Sequence, residues 1–69
     1  MRKLVFLITE QNEAPKAIEF ITDRSPEWTI EQYGRNRLPL EMELIKDEES
    51  EEETQISREV DLGLYNIVG

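Results

Sequence analysis

Apolar and polar positions change rhythm several times along the chain, and each change marks an element. Leu4-Val5-Phe6-Leu7-Ile8 is an unbroken apolar run, too short for a helix and rich in β-formers, so residues 3–9 are predicted as a strand. A strand apolar on both faces belongs in the middle of its sheet. Beyond it, Asn12 is a helix-capping type, and Glu13 and Pro15 suit a first helical turn. Ala14, Ala17, Ile18 and Ile21 then recur at i, i+3, i+4 and i+7, one helical face. The spacing predicts a helix over 13–24; Ile18, Phe20 and Thr22 also alternate, which leaves a strand as the rival. Ser25-Pro26 closes this element, because a residue before proline is pushed out of helical geometry.

Alternation resumes with Trp28 and Ile30 and runs to Tyr33, followed by the turn Gly34-Arg35-Asn36-Arg37. From Leu38 to Lys46, Leu40, Met42 and Leu44 point one way and Glu41 and Glu43 the other. These two segments are expected to form an antiparallel hairpin. Asp47 to Glu53 sets six carboxylates around one serine, a self-repelling run that reads as a solvated loop. Ile56, Val60, Leu62 and Leu64 recur on even positions, which predicts a last strand over 54–62. Its rival is a helix within 50–62, capped by Ser50 with Glu53 as the capping-box partner. Gly63 allows a bend. The apolar run Leu64 to Val68 is expected to dock on its own sheet or on a neighbouring subunit. The expected fold is α+β: a small, mostly antiparallel sheet with one covering helix, in the order β-α-β-β-β, forming one domain over 1–69.

A chain of 69 residues builds only a marginal core, and small domains often rely on disulfides, metals or self-association. There is no cysteine and no histidine, so a disulfide is excluded and the commonest metal ligand and general base are missing. A homodimer is the remaining expectation. Ser25, Ser50 and Ser57 have no obvious activating base, no glycine-rich phosphate loop exists, and the acids crowd a loop and a strand face. No enzymatic activity and no cofactor are expected. Asp47 to Glu53 lacks the alternating ligands and central glycine of a calcium loop, so no bound metal is expected either. The apolar stretch after Met1-Arg2-Lys3 is too short for a signal core or a membrane span, which makes cytoplasmic the expected location.

Charge sharpens the picture. There are 16 acidic and 8 basic residues, for a net charge of −8. Residues 1–40 carry six of each, while residues 41–61 carry ten acids and two bases (Lys46 and Arg58), so the whole excess lies in that stretch. The ten acids are Glu41, Glu43, Asp47, Glu48, Glu49, Glu51, Glu52, Glu53, Glu59 and Asp61. They are the candidate partner-binding residues. Alternate side chains on one face of a strand lie roughly 6.6–6.8 Å apart. Successive phosphates of a DNA strand lie at a spacing near 7 Å, from roughly 3.4 Å of rise plus the helical rotation. Glu41 with Glu43, and Glu59 with Asp61, therefore match a phosphate pair, and the loop acids extend the track. A solubilising face is the plainer account of such charge, and it explains a confined surplus less well than a scattered one. Arg35 and Arg37 are too few to hold nucleic acid on an acidic chain, so they read as turn solvation or partners for the acids. Trp28, the single tryptophan, fits core or sheet packing first and an interface second.

In size, in lacking cysteine and histidine, and in the acidic stretch Glu41 to Asp61, the chain resembles the phage-encoded acidic DNA-mimic proteins, especially inhibitors of the histone-like nucleoid protein HU. That resemblance implies a dimeric, non-enzymatic inhibitor occupying the DNA-binding surface of a basic, HU-like partner without touching DNA itself. Two other functions compete with it. One is an interaction module that docks on a host enzyme such as RNA polymerase or a nuclease through Trp28 and the apolar terminus. The other is a domain whose charge serves solubility alone.

Overall fold

The structure, a computed structural model, describes residues 1–61. The elements run, in chain order, β1 (Arg2–Thr9), β2 (Lys16–Thr22), α1 (Pro26–Arg37), β3 (Glu41–Glu49) and β4 (Ile56–Val60). All four strands form one antiparallel sheet in the order β3-β1-β2-β4, with α1 against one face. The α+β class and the single helix agree with the sequence reading. The apolar run Leu64 to Val68 and its expected docking lie outside the described residues.

The helix, however, is not where periodicity put it. Residues 16–22 are strand β2, paired along its length with β1 and, from Ala17 to Ile21, with β4. Ala17, Ile18, Glu19, Ile21 and Thr22 are all buried, so both faces of β2 are covered. That two-sided burial produces the near-continuous apolar pattern that also fits a helical face. The reversal into β2 passes through Asn12, whose positive φ of 63° suits an asparagine in a tight turn.

The segment read as strand and turn is instead α1. Ser25-Pro26 opens a helix rather than closing one. The Ser25 hydroxyl accepts a hydrogen bond from the Trp28 N–H at 3.1 Å, and Pro26 sits where no N–H is needed. Glu27 in the first turn and Arg35 and Arg37 in the last complement the helix dipole. Only Thr29 of α1 is fully buried, so the helix carries little apolar periodicity. The expected hairpin between 28–33 and 38–46 therefore does not form, and β3 pairs with β1.

The end of α1 is unusual. Leu38 caps it with φ 48°, ψ 55°, its N–H donating to the Gly34 carbonyl at 3.0 Å. This left-handed conformation normally goes to glycine or asparagine and costs a leucine roughly 1 kcal/mol. Pro39 follows, and the Leu40 N–H donates to the Thr9 carbonyl at 2.8 Å, guiding the chain into β3.

Leu4, Phe6, Ile8 and Ile18 form the core under the helix, with Phe20, Tyr33 and Met42 packed against them. Phe6, Phe20 and Tyr33 stack edge to face in sequence, at centroid distances of 5.8 and 6.0 Å. Val5, Ala17 and Ile21 are buried on the opposite face. In β3, Phe6 faces Leu44 while Val5 faces Lys46, so Ile45 is an extra residue, a bulge. β3 also runs three residues further than expected: Asp47, Glu48 and Glu49 pair with Leu4, Lys3 and Arg2 instead of joining the loop.

Candidate functional site

Cross-strand partners share a face of the sheet, so the register places every charge. On the face away from α1, an ion-pair ladder crosses all four strands. Glu48 of β3 meets Lys3 of β1 at 3.3 Å, and Lys3 reaches Glu19 of β2 at 3.8 Å. Arg58 of β4 donates from Nε to Glu19 at 2.6 Å and turns its other end to Glu52 at 3.3 Å. Lys46 also pairs with Glu48 at 3.6 Å. The Glu19 side chain is only 5% exposed, so its negative charge rests on Arg58 and Lys3. The neighbouring carboxylate holds the Arg58 guanidinium above its ordinary pKa, first through the hydrogen bond and then through charge.

A second cluster ties the turn end of β1 to the helix. Glu10 accepts from Lys16 at 2.9 Å and from the Tyr33 hydroxyl at 3.4 Å. The Lys16 hydrogen bond lowers the Glu10 pKa and, reciprocally, raises that of Lys16. Burial, followed by the Glu10 charge, raises that of Tyr33. Arg37 lies over the Tyr33 ring at 5.7 Å, Arg24 over Trp28 at 5.2 Å, and Arg35 pairs with Glu31 at 2.6 Å. Arg35 and Arg37 thus belong to the last turn of α1 and make contacts within that helix, not in a turn and not with the acidic stretch as expected. Among the described residues, no group of three or more acids is arranged to hold a metal ion.

The ten candidate acids divide into two kinds. Asp47 pairs with Arg2 (Nε to Oδ1, 2.9 Å), Glu48 with Lys3 and Lys46, and Glu52 with Arg58. Asp61 also has an interaction partner. Glu41, Glu43, Glu49, Glu51, Glu53 and Glu59 are exposed and make no ion pair among the described residues. The acids do not line one straight track. Glu41 and Glu43 share a face on β3, as expected from alternation. Glu59 lies on β4 at the opposite edge of the sheet, three strand spacings or roughly 14 Å across. Asp61 lies beyond the last residue of β4, so Glu59 and Asp61 are not consecutive positions on one strand face. Together the acids follow the rim: down β3, across the strand ends through residues 50–55, and back up β4.

Two shallow grooves flank α1. One, of about 350 Å³, lies over β2 and β4, and none of its lining residues is charged; Trp28, Tyr33, Phe20 and Gln55 are among them. Trp28 is 39% exposed here, so it is not a core residue as expected. The other, of about 340 Å³, lies toward β3 and is bounded by Ile30, Gly34, Leu38, Pro39, Leu40 and Met42, with Glu41 as its one charged lining residue. Leu38 is 81% exposed and Leu40 69%, with Ile30 of the same groove also exposed. Sequence reasoning missed this apolar corner because it placed Leu38 and Leu40 inside a hairpin strand, with Leu40, Met42 and Leu44 pointing one way. The available signal was a Leu-Pro-Leu triplet directly before an acidic strand.

No helix among the described residues is long and apolar enough to cross a membrane. Compared with known proteins, the chain matches no family model, no curated protein and no solved structure.

Proposed function

We propose that this chain is a DNA-mimic inhibitor, binding the DNA-contacting surface of a basic, HU-like nucleoid protein and displacing DNA from it. The supporting observation is a division of charge. Seven of the eight basic side chains sit in ion pairs within the chain, and the eighth, Arg37, lies over an aromatic ring. The unpaired charge that faces outward on the rim is negative. A partner whose lysines and arginines bind phosphates meets carboxylates there instead, and charge steers the encounter. The chain itself is repelled by DNA. The reading includes a cytoplasmic homodimer, which doubles the rim charge and suits a two-fold partner.

A displacement assay tests it. Added to a preformed complex of HU and a DNA duplex, the protein is expected to release free DNA without a ternary band. The variant with Glu41, Glu43, Glu49, Glu51, Glu53 and Glu59 all replaced by Gln is expected to lose this activity, and the wild-type effect to fade between roughly 50 and 200 mM salt. A stable ternary complex, or displacement indifferent to salt, sinks the reading. The half-exposed Trp28 beside an uncharged groove favours one rival: a module that docks on an enzyme such as RNA polymerase or a nuclease. That rival binds with little salt dependence and loses affinity on Trp28→Ala.

A further inference from the structure

Leu38 occupies a position that its own fold penalises twice. Its backbone is left-handed, where asparagine or glycine is more stable, and its side chain is 81% exposed, where an apolar group gains nothing from the chain's own core. Two residues on, Leu40 is 69% exposed. Pro39 between them restricts the backbone, and the bonds from Leu38 to Gly34 and from Leu40 to Thr9 anchor both ends of the corner. The two leucines are thus held out on a stiff support. Ile30 and Met42 continue the apolar lining of the groove between α1 and β3. Gly34 lies in the same groove, and outside its chain neighbours and its own helix backbone no atom lies within 4 Å of where its Cβ would be, so the groove floor there is open.

Charge says what covers this patch. The next side chains along the chain are Glu41 and Glu43, both exposed and without an ion pair among the described residues. The nearest bases, Arg35 and Arg37, are taken up by Glu31 and the Tyr33 ring. An apolar patch bordered by unpaired carboxylates suits an apolar side chain flanked by lysines and arginines. It suits a second copy of this acidic chain poorly, since the borders would repel.

We infer that the Leu38–Pro39–Leu40 corner is the apolar anchor of the docking surface, and that it receives an apolar side chain set among basic residues on the partner protein. The inference rests on the acidic-rim reading and adds to it a contact that a phosphate backbone cannot make. Interfaces are commonly organised this way, with a small desolvated anchor fixing affinity and surrounding charges setting approach and orientation. The anchor gives the rim a means of distinguishing one basic surface from another, which charge alone does poorly.

The test uses two blocked peptides of equal net charge, both built from Lys, Arg and Gly, one of them carrying a central Leu-Phe pair. Binding is followed by NMR titration of the full chain at low salt. The Leu-Phe peptide is expected to bind at least about tenfold tighter, shifting the methyl signals of Leu38, Leu40 and Ile30. Leu38→Asn and Leu40→Ser are expected to remove that advantage while leaving the plain basic peptide unaffected. Leu38→Asn also relieves the backbone, so its melting temperature is expected to stay level or rise, which separates lost binding from lost folding. Equal affinity for the two peptides overturns the anchor but not the rim. Binding of neither overturns both. Self-association that disappears in Leu38→Asn assigns the patch to a second copy and overturns the inference as stated.

Discussion

The central hairpin and the acidic rim use the same residue types to opposite ends. In β1 and β2 the charges are few, confined and matched: Glu19 lies between Lys3 and Arg58, and Glu10 between Lys16 and Tyr33. Along β3 and the loop beyond it the carboxylates are many, exposed and often unmatched. The first arrangement spends charge on holding strands in register. The second leaves it available to solvent and to a partner. What separates the two is burial: a charge taken out of water needs a partner, and one left in water does not.

The comparison breaks most readily at the hairpin. Phe6→Ala removes a fully buried ring from beneath Phe20 and is expected to cost about 3–5 kcal/mol, enough to unfold so small a domain in denaturant titration. Glu19→Gln leaves Arg58 and Lys3 facing a neutral amide, with an expected loss of about 1–3 kcal/mol by the same measurement. If that variant proves as stable as the parent, the ladder is decoration rather than support.

The pH response follows from the sign of the shifts. The folded state lowers the pKa of Glu10 from its ordinary 4.5, so its contribution is present above that value and disappears as pH falls through the lowered one. The folded state raises that of Lys16 from 10.5, so its contribution is present below that value and is lost as pH rises through the raised one. Glu10→Gln is expected to flatten the acid limb of the unfolding midpoint, compared between about pH 3 and about pH 6. At the rim the expected stability effect is smallest. Replacing Glu49, Glu51 and Glu53 with Gln is expected to change stability by no more than about 0.5 kcal/mol, with any change toward greater stability as like charges are removed. A large loss there would mean that the rim is structural.

Sequence legibility followed the strength of the local pattern. β1 was readable because an uninterrupted apolar run has few alternatives. β3 was readable in its first half, where Met42 and Leu44 alternate with acids. Its second half was hidden, because Asp47 and Glu48 look like loop until Arg2 and Lys3, over forty residues away, stand beside them. β2 and α1 exchanged identities for a shared reason. A strand buried on both faces loses its alternation, and a helix that buries only Thr29 never acquires its own periodicity. At Ser25-Pro26 the decisive signal is local but reads both ways: it ends one element or begins another, and the hydroxyl bond to Trp28 selects the beginning. The acidic stretch was visible as composition. Which of its members are already paired depends on strand order, which no local pattern encodes.

The extra residue at Ile45 bears on how the protein behaves in crowded solution. Without it, Glu41, Glu43, Asp47 and Glu49, all odd-numbered, would point to one side of β3 and leave Glu48 as the one carboxylate on the other. The slip in register sends Glu41 and Glu43 to one side and Asp47 and Glu49 to the other. An outer strand with carboxylates on both sides is a poor template for a strand from another molecule, whichever way it approaches. One inserted isoleucine thus helps protect β3, the longest strand and an edge of the sheet among the described residues, against the strand pairing that leads to aggregates.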